Sequence, residues 1–175
     1  MIIGVFSDIH DNLINLKKAL DIFKNEKVEK VIFSGDLVSP FVIDFIKSEK
    51  FGIPIIAIRG NNEGDIYRIM QRIKVTGVNF VYPEKNLYFS ELEIEGRKIA
   101  IYHGDVPQIT ECLILSKKYE VVITGHNHEA KIETTNGVLH VNPGTVCGFQ
   151  KGLITNKASL GIYDSKNNNA RIIYF

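Results

Sequence analysis

The sequence contains little cysteine, no tryptophan and no marked excess of either charge. Its 175 residues include 2 cysteines, and 21 basic against 20 acidic residues leave a formal net charge of +1 at pH 7. So few cysteines do not support a disulfide framework or a cysteine metal site. The balanced charge argues against nonspecific binding to nucleic acid or to a membrane. Any charged partner must therefore be attracted locally.

Long apolar runs and targeting signals are also missing. No apolar stretch reaches the roughly 18 residues of a membrane span, and the start MIIGVFSDIHDN has no basic region and no small-residue cleavage pattern. We therefore expect a cytoplasmic protein with no membrane partner. Without repeats or linkers, residues 1–175 are expected to form a single domain. Cys112 and Cys147 are expected to be small buried hydrophobic residues, with Cys147 in a segment near the site.

The first half of the chain alternates apolar runs with amphipathic segments. IIGVF precedes a helical stretch from Asp11 to Glu26, and IPIIAIRG precedes another from Glu63 to Lys74. Between them, VIFSG precedes a stretch from Pro40 to Lys50, with Ser39 as the expected N-cap. This β-α-β-α-β-α order indicates a sheet with helical crossovers.

The second half carries hairpin signals instead. NLYFSELEI and KIAIYHG are separated only by EGR, and KIETT and VLHVN only by Asn136-Gly137. A helix from Pro107 to Lys118 precedes VVITG, and ASLGIYD with RIIYF predicts a final hairpin. We therefore predict an α/β (α+β) fold: a four-layer α-β-β-α sandwich of two mixed sheets flanked by helices.

Polar side chains follow the ends of five apolar runs. In open sheets, ligands bind beyond the carboxyl ends of the strands, so these side chains are expected to converge. Imidazoles, carboxylates and an amide oxygen suit Mn²⁺, Fe²⁺, Zn²⁺ or Ni²⁺, and four histidines argue against Mg²⁺ or Ca²⁺. The seven candidate metal ligands are Asp8, His10, Asp36, Asn61, His103, His126 and His128.

Seven ligands are too many for one small ion. They suit two ions that share a ligand and hold a phosphoryl group between them, and Asp36 is the natural bridging carboxylate. Two divalent ions with two aspartates leave the site at about +2, which attracts phosphate. Taken singly, every motif except GHNH also fits a turn, a cap or a partly buried structural residue. Only their combination indicates a binuclear metal site at the strand ends.

The motifs match a known family at this point. SDIH, SGD, GNNE, YHG and GHNH, in that order, resemble the five-block signature of the calcineurin-like metallophosphoesterases. NPGT resembles a further block of their small single-domain phosphodiesterase branch. The resemblance extends from Asp8 to Gly144 and therefore covers most of the chain.

The resemblance implies a role for each candidate ligand. In the family's mechanism a metal-bridging hydroxide attacks phosphorus in line, so no protein nucleophile is required. Asp36, Asn61 and His126 would then be the catalytic residues. The implied ligand assignment gives the first metal Asp8, His10 and His128, the second metal Asn61, His103 and His126, and both metals the bridging Asp36.

Some positions differ from the pattern of many relatives. Asn62 stands where the family often has a histidine, and an amide cannot act as a general acid. Asp105 follows Gly104 where many relatives resemble HGH, and no arginine follows NPG. Asn62, Asp105 and Lys151 are therefore candidate substrate contacts. His140, inside VLHVN, is expected to be structural.

The leading hypothesis is a metal-dependent phosphoesterase, more specifically a phosphodiesterase. Its cofactors would be two divalent ions per chain, with Mn²⁺ preferred and Ni²⁺, Fe²⁺ or Zn²⁺ as alternatives, and its partner a phosphate-ester substrate. One alternative is an interaction scaffold similar to the retromer subunit of eukaryotes, although that protein has lost ligands. Another is a nucleotidase or a hydrolase of dinucleoside polyphosphates or cyclic nucleotides. A homo-oligomer is left open.

Overall fold

The helices and strands follow the order expected from the sequence. A computed structural model describes residues 1–150, 153–154 and 157–175. The helices in these ranges are α1 (Leu13–Asn25), α2 (Phe41–Ser48), α3 (Ile66–Thr76) and α4 (Pro107–Leu115). The strands are β1 (Ile2–Phe6), β2 (Lys30–Phe33), β3 (Ile55–Ala57), β4 (Phe80–Val81), β5 (Phe89–Ile94), β6 (Arg97–Tyr102), β7 (Val121–Ile123), β8 (Ala130–Thr135), β9 (Val138–Pro143), β10 (Phe149–Gln150), β11 (Leu153–Ile154), β12 (Ser159–Asp164) and β13 (Asn169–Tyr174).

The long strands form two mixed sheets. The first has the order β13-β12-β1-β2-β3-β4, in which β1 to β4 are parallel, β12 is antiparallel to β1, and β13 is antiparallel to β12. The second has the order β5-β6-β7-β9-β8, with β6, β7 and β9 parallel. Strands β10 and β11 pair separately. The predicted pair of mixed sheets is confirmed, whereas β4, β10 and β11 were not predicted.

Three apolar clusters lie between the four layers, which are two sheets with helices on their outer faces. Helices α1, α2 and α3 cover one face of the first sheet, where Leu16 joins Phe6 and Phe33 in the largest cluster. The second cluster lies between the sheets and joins side chains of β1 and β2 to side chains of β6, β7 and β9. The third places Ile114 of α4 with Val122 of the second sheet. The predicted α-β-β-α sandwich is therefore confirmed.

Helix starts differ from the predicted positions for local reasons. Asp11 has a left-handed φ of 58°, so α1 begins only after Asn12, whose Oδ1 accepts a hydrogen bond from Asn15 N at 3.1 Å. The prediction of Ser39 as an N-cap is wrong, because Pro40 takes that position without a side-chain bond. The Ser39 hydroxyl and backbone N–H instead donate to Asp11.

The cysteine prediction is also wrong in part. Cys112 is exposed, because α4 packs on the sheet through Leu113 and Ile114 and turns Cys112 outward. Cys147 is half-buried and follows β9. In the part of the chain that the structure describes, no helix combines the length and the apolar content that crossing a bilayer requires.

Candidate metal centre

Both sheets present polar residues at the same edge. Asp8 and His10 follow β1, Asp36 follows β2, and Asn61 follows β3, so the first sheet supplies four of the seven predicted ligands. The second sheet supplies the rest from the ends of β6 and β7. These three are His103, His126 and His128.

Most of these ligands have an unusual backbone conformation. A left-handed φ costs a non-glycine residue roughly 1–2 kcal/mol, so it persists only where the surrounding structure imposes it. The chain turns sharply at the strand ends, and such conformations are known to cluster at active sites. The left-handed ligands are Asp8 (φ 56°), His10 (43°), Asp36 (65°), His126 (69°) and His128 (62°).

The first group of ligand atoms surrounds one carboxylate oxygen of Asp8. Oδ1 of Asp8 lies 3.2 Å from His128 Nε2 and 3.6 Å from His10 Nε2. The two imidazole nitrogens are 3.2 Å apart. Oδ2 of Asp36 lies 3.4 Å from His10 Nε2 and completes the group.

The second group surrounds the amide oxygen of Asn61. Oδ1 of Asn61 lies 2.9 Å from His103 Nε2 and 2.9 Å from His126 Nδ1. Oδ1 of Asp36 lies 3.4 Å from His103 Nε2. Asp36 therefore directs one oxygen toward each group, which is the arrangement that a bridging carboxylate requires.

The donor set fits divalent cations. Asp8 is completely buried, and its Oδ1 has no hydrogen-bond partner among the described residues. A buried carboxylate oxygen without a donor is costly unless a cation neutralises it. Burial by itself would raise the pKa of Asp8, but the His10 and His128 imidazoles hold it well below its usual range. The carboxylate therefore stays ionised.

The same carboxylates change the pKa values of the neighbouring histidines. Burial lowers the pKa of His128, yet the contact with Asp8 outweighs burial and raises it to about 10. The pKa values of His10 and His103 are raised in the same way by Asp8 and Asp36. A metal ion that binds here must therefore compete with protons for the imidazole nitrogens.

Hydrogen bonds on the far side of two rings select the nitrogen that faces the site. His103 Nδ1 lies 2.7 Å from Ser34 O, and His128 Nδ1 lies 2.5 Å from Phe149 O. Because a carbonyl can only accept, each Nδ1 carries the proton when the ring is neutral. The Nε2 lone pairs are then free for metal binding.

Two glycines allow the loops to approach one another. A Cβ on Gly60 would lie 2.1 Å from Asp36 Oδ1, and one on Gly125 would lie 2.0 Å from Ser7 Oγ. Non-bonded atoms do not approach one another this closely. A larger residue at Gly60 would therefore displace the bridging carboxylate.

Glu63 is a supporting residue that the sequence analysis did not identify. Its buried carboxylate accepts hydrogen bonds from the backbone N–H groups of Asp36 (3.1 Å), Leu37 (3.0 Å), Val38 (3.1 Å) and Gly60 (3.3 Å). Asp36 and Val38 have left-handed φ values of 65° and 83°. The four bonds therefore hold a strained turn. The only signal was its place in GNNE.

Asn142 supports the opposite loop in the same way. Its Nδ2 donates to Gly125 O at 2.8 Å and to Asn127 Oδ1 at 3.0 Å, and its Oδ1 accepts from Gly144 N at 3.0 Å. These bonds join NPGT to GHNH. His140, predicted to be structural, lies in β9 between Thr124 Oγ1 (2.9 Å) and Glu133 Oε1 (3.3 Å).

A cavity of about 520 Å³ opens over the two ligand groups. Asn62, predicted to contact substrate, lines it and also donates from Nδ2 to Asp36 Oδ2 at 3.2 Å. Asp105 is exposed and is not among the lining residues, and Lys151 lies outside the described residues. The lining residues are His10, Asn12, Asp36, Asn62, His126, His128, Cys147 and Phe149.

Comparisons with known proteins identify the family. The family model of the calcineurin-like phosphoesterase superfamily domain matches residues 1–167. Phosphodiesterase MJ0936 of Methanocaldococcus jannaschii is 40% identical over 175 residues, which cover 99% of this chain and 98% of that protein.

Two solved structures resemble the chain along its whole length. A structure described as a novel archaeal phosphodiesterase has a TM-score of 0.87 at 37% identity and is covered completely, as is this chain. Vps29 of Entamoeba histolytica in complex with zinc has a TM-score of 0.67 at 15% identity, with 99% of this chain and 91% of that chain covered. At that identity the second likeness concerns the fold alone.

Proposed function

Because the chain belongs to the calcineurin-like phosphoesterase superfamily, we propose that it is a metal-dependent phosphodiesterase whose catalytic centre is the pair of ligand groups around Asp36. One observation carries the proposal: Asp36 directs Oδ2 toward His10 and Oδ1 toward His103, at 3.4 Å in both cases. A full-length phosphodiesterase relative at 40% identity supports the same activity.

Each ligand group would hold one divalent ion. We propose Mn²⁺ as the first choice, with Ni²⁺, Fe²⁺ and Zn²⁺ as alternatives of the same ligand preference. Two bound ions supply Lewis acidity to the phosphoryl oxygens and lower the pKa of bound water. The proposed ligands are Asp8, His10 and His128 for the first ion, Asn61, His103 and His126 for the second, and Asp36 for both.

The chain's own residues would position the substrate rather than attack it. The Asn62 amide faces the cavity and can donate a hydrogen bond to a phosphoryl oxygen, but it cannot protonate a leaving group. Esters with good leaving groups should therefore react fastest. Asp105, outside the lining, would contact only a substrate that extends past the cavity.

The scaffold alternative has less support. Its structural basis is the likeness to Vps29, which concerns the fold alone. The chain keeps all seven predicted ligand positions, but Vps29 is described in complex with zinc, so turnover rather than metal binding alone separates the two functions. A nucleotidase or dinucleoside polyphosphate hydrolase would use the same ligands, so only a comparison of substrates separates it from the proposed activity.

The test combines metal content with turnover. We expect two metal ions per chain in protein purified without chelator, and metal-dependent hydrolysis of bis-p-nitrophenyl phosphate. His126→Ala should lower turnover by roughly 100-fold or more, since losing even an outer-shell partner of a metal ligand costs about 10–100-fold. Asp21→Asn, on the exposed side of α1, serves as the control. Metal-free protein, or equal turnover in His126→Ala, would refute the proposal.

A further inference from the structure

Cys147 lies beside the first ligand group. It is half-buried, follows β9 and lines the same cavity as His10 and His128. One ligand atom from each of these three residues lies within 4.8 Å of the other two. The assignment drawn from the family resemblance contains no sulfur, so this thiol is an additional group at the site.

The surroundings of the sulfur are fixed by hydrogen bonds. Phe149 N donates to Cys147 Sγ at 3.4 Å, and Thr145 Oγ1 lies 3.0 Å from the sulfur. The backbone of Cys147 is tied to the first ligand loop, because its N–H donates to Asp8 O at 3.0 Å and its carbonyl accepts from Asn12 Nδ2 at 2.9 Å. The sulfur also lies 3.9 Å from Phe149 O, which can accept the thiol proton in the metal-free protein.

An independent observation indicates a cation at this place. The completely buried Oδ1 of Asp8 has no hydrogen-bond partner among the described residues and lies 3.2 Å from His128 Nε2. His128 links this carboxylate to the sulfur, because its Nδ1 lies 3.9 Å from Cys147 Sγ. Cys147 is therefore not an isolated thiol but a neighbour of the first group of candidate ligands.

We propose that Cys147 supplies a thiolate ligand to the first metal ion, so that Mn²⁺ is the first choice only at the second site and the two sites prefer different metals. This inference rests on the proposed function. The thiol proton would leave to solvent as the ion binds. A thiolate with two imidazoles favours Zn²⁺, Co²⁺ or Fe²⁺, whereas the nitrogen and oxygen donors of the second group also suit Mn²⁺. The sulfur would thus select a thiophilic ion at the first site.

Cobalt spectroscopy tests the inference without relying on activity. Reduced, metal-free protein is titrated with Co²⁺ under anaerobic conditions. We expect a near-ultraviolet charge-transfer band from sulfur to Co²⁺ in the wild type and in Cys112→Ser, in which the exposed cysteine of α4 is removed. The band should be absent from Cys147→Ser, and the preference of that variant for Zn²⁺ over Mn²⁺ should fall roughly tenfold or more.

A measurement on the wild type covers the case in which Cys147→Ser does not fold. X-ray absorption of the zinc-loaded protein should show one sulfur for every two zinc ions, at about 2.3 Å, beside nitrogen and oxygen at about 2.0–2.2 Å. Two bound ions with no sulfur contact would overturn the inference and leave the proposed function intact. No metal binding at all would overturn both.

Discussion

At the scale of single residues, the site depends on a buried carboxylate that would hold no metal. Glu63 accepts four backbone hydrogen bonds from the turn that carries Asp36 and from Gly60. The partners of Glu63 are backbone groups, which leave no trace in residue identity. The seven candidate ligands stand out by residue type and by position after a strand, whereas the role of Glu63 does not.

Removing this carboxylate should damage both stability and metal binding. Glu63→Ala leaves four N–H groups without their acceptor, so we expect the free energy of unfolding to fall by at least about 2 kcal/mol. Glu63→Gln should also lose stability, because its NH₂ group would face donors. Urea denaturation and metal titration measure both effects, with Glu111→Gln on α4 as the control. Unchanged metal affinity in a folded Glu63→Ala protein would contradict the role assigned to Glu63.

At a candidate ligand with a left-handed φ, we expect a glycine variant to be more stable than an alanine variant, which reverses their usual order. At His126, with φ 69°, glycine relieves strain, so metal-free His126→Gly should be more stable than His126→Ala by about 1 kcal/mol. At His103, whose φ is negative, glycine should be less stable than alanine by about 0.5–1 kcal/mol. Denaturation of the four variants in chelator gives both differences. The same order at both positions would be evidence against backbone strain at His126.

At the scale of elements, strand β1 packs closely against α1 because Gly4 has no side chain. A Cβ on Gly4 would lie 2.5 Å from the ring of Phe23, whereas one on Gly161, in the adjacent strand β12, would make contacts of 3.4 Å or longer. We expect Gly4→Ala to cost about 1–3 kcal/mol of stability and Gly161→Ala clearly less. Thermal or urea denaturation decides, and equal costs would argue against this close packing.

Most helices and strands could be predicted from the sequence because their signals are local. The turns at Glu95-Gly96 and Asn136-Gly137 have positive φ at both residues, as two-residue hairpins require. Pairing that depends on the rest of the fold was missed: β4 is two residues long and exists through its pairing with β3. The exposure of Cys112 was likewise set by how α4 lies on the sheet.

At the scale of the whole molecule, the metal-free protein should become less stable as the pH rises. The pKa values of His10, His103 and His128 are raised above 6.5, that of His128 to about 10, by contact with carboxylates. A histidine with a raised folded-state pKa stabilises the fold fully below its unfolded pKa and loses that contribution as pH rises through the folded pKa. The stability should therefore decline between about pH 6.5 and 10, by at most about 1.4 kcal/mol per unit of pKa shift.

Metal-loaded protein should not show this decline, because its ligands have already released their protons and rising pH favours metal binding. Urea denaturation from pH 6 to pH 10, with and without chelator, compares the two forms. Parallel curves would mean that the histidine protons do not occupy the metal positions.

The ligand groups also straddle the boundary between the two sheets. The first group takes Asp8 and His10 from one sheet and His128 from the other, and Asn61 meets His103 and His126 across the same boundary. Each ion would thus act as a cross-link between two layers, and the sheets would open as one cooperative unit. Amide hydrogen exchange should then slow in β1 and β7 together on metal loading, and slowing confined to one sheet would show that the layers open independently.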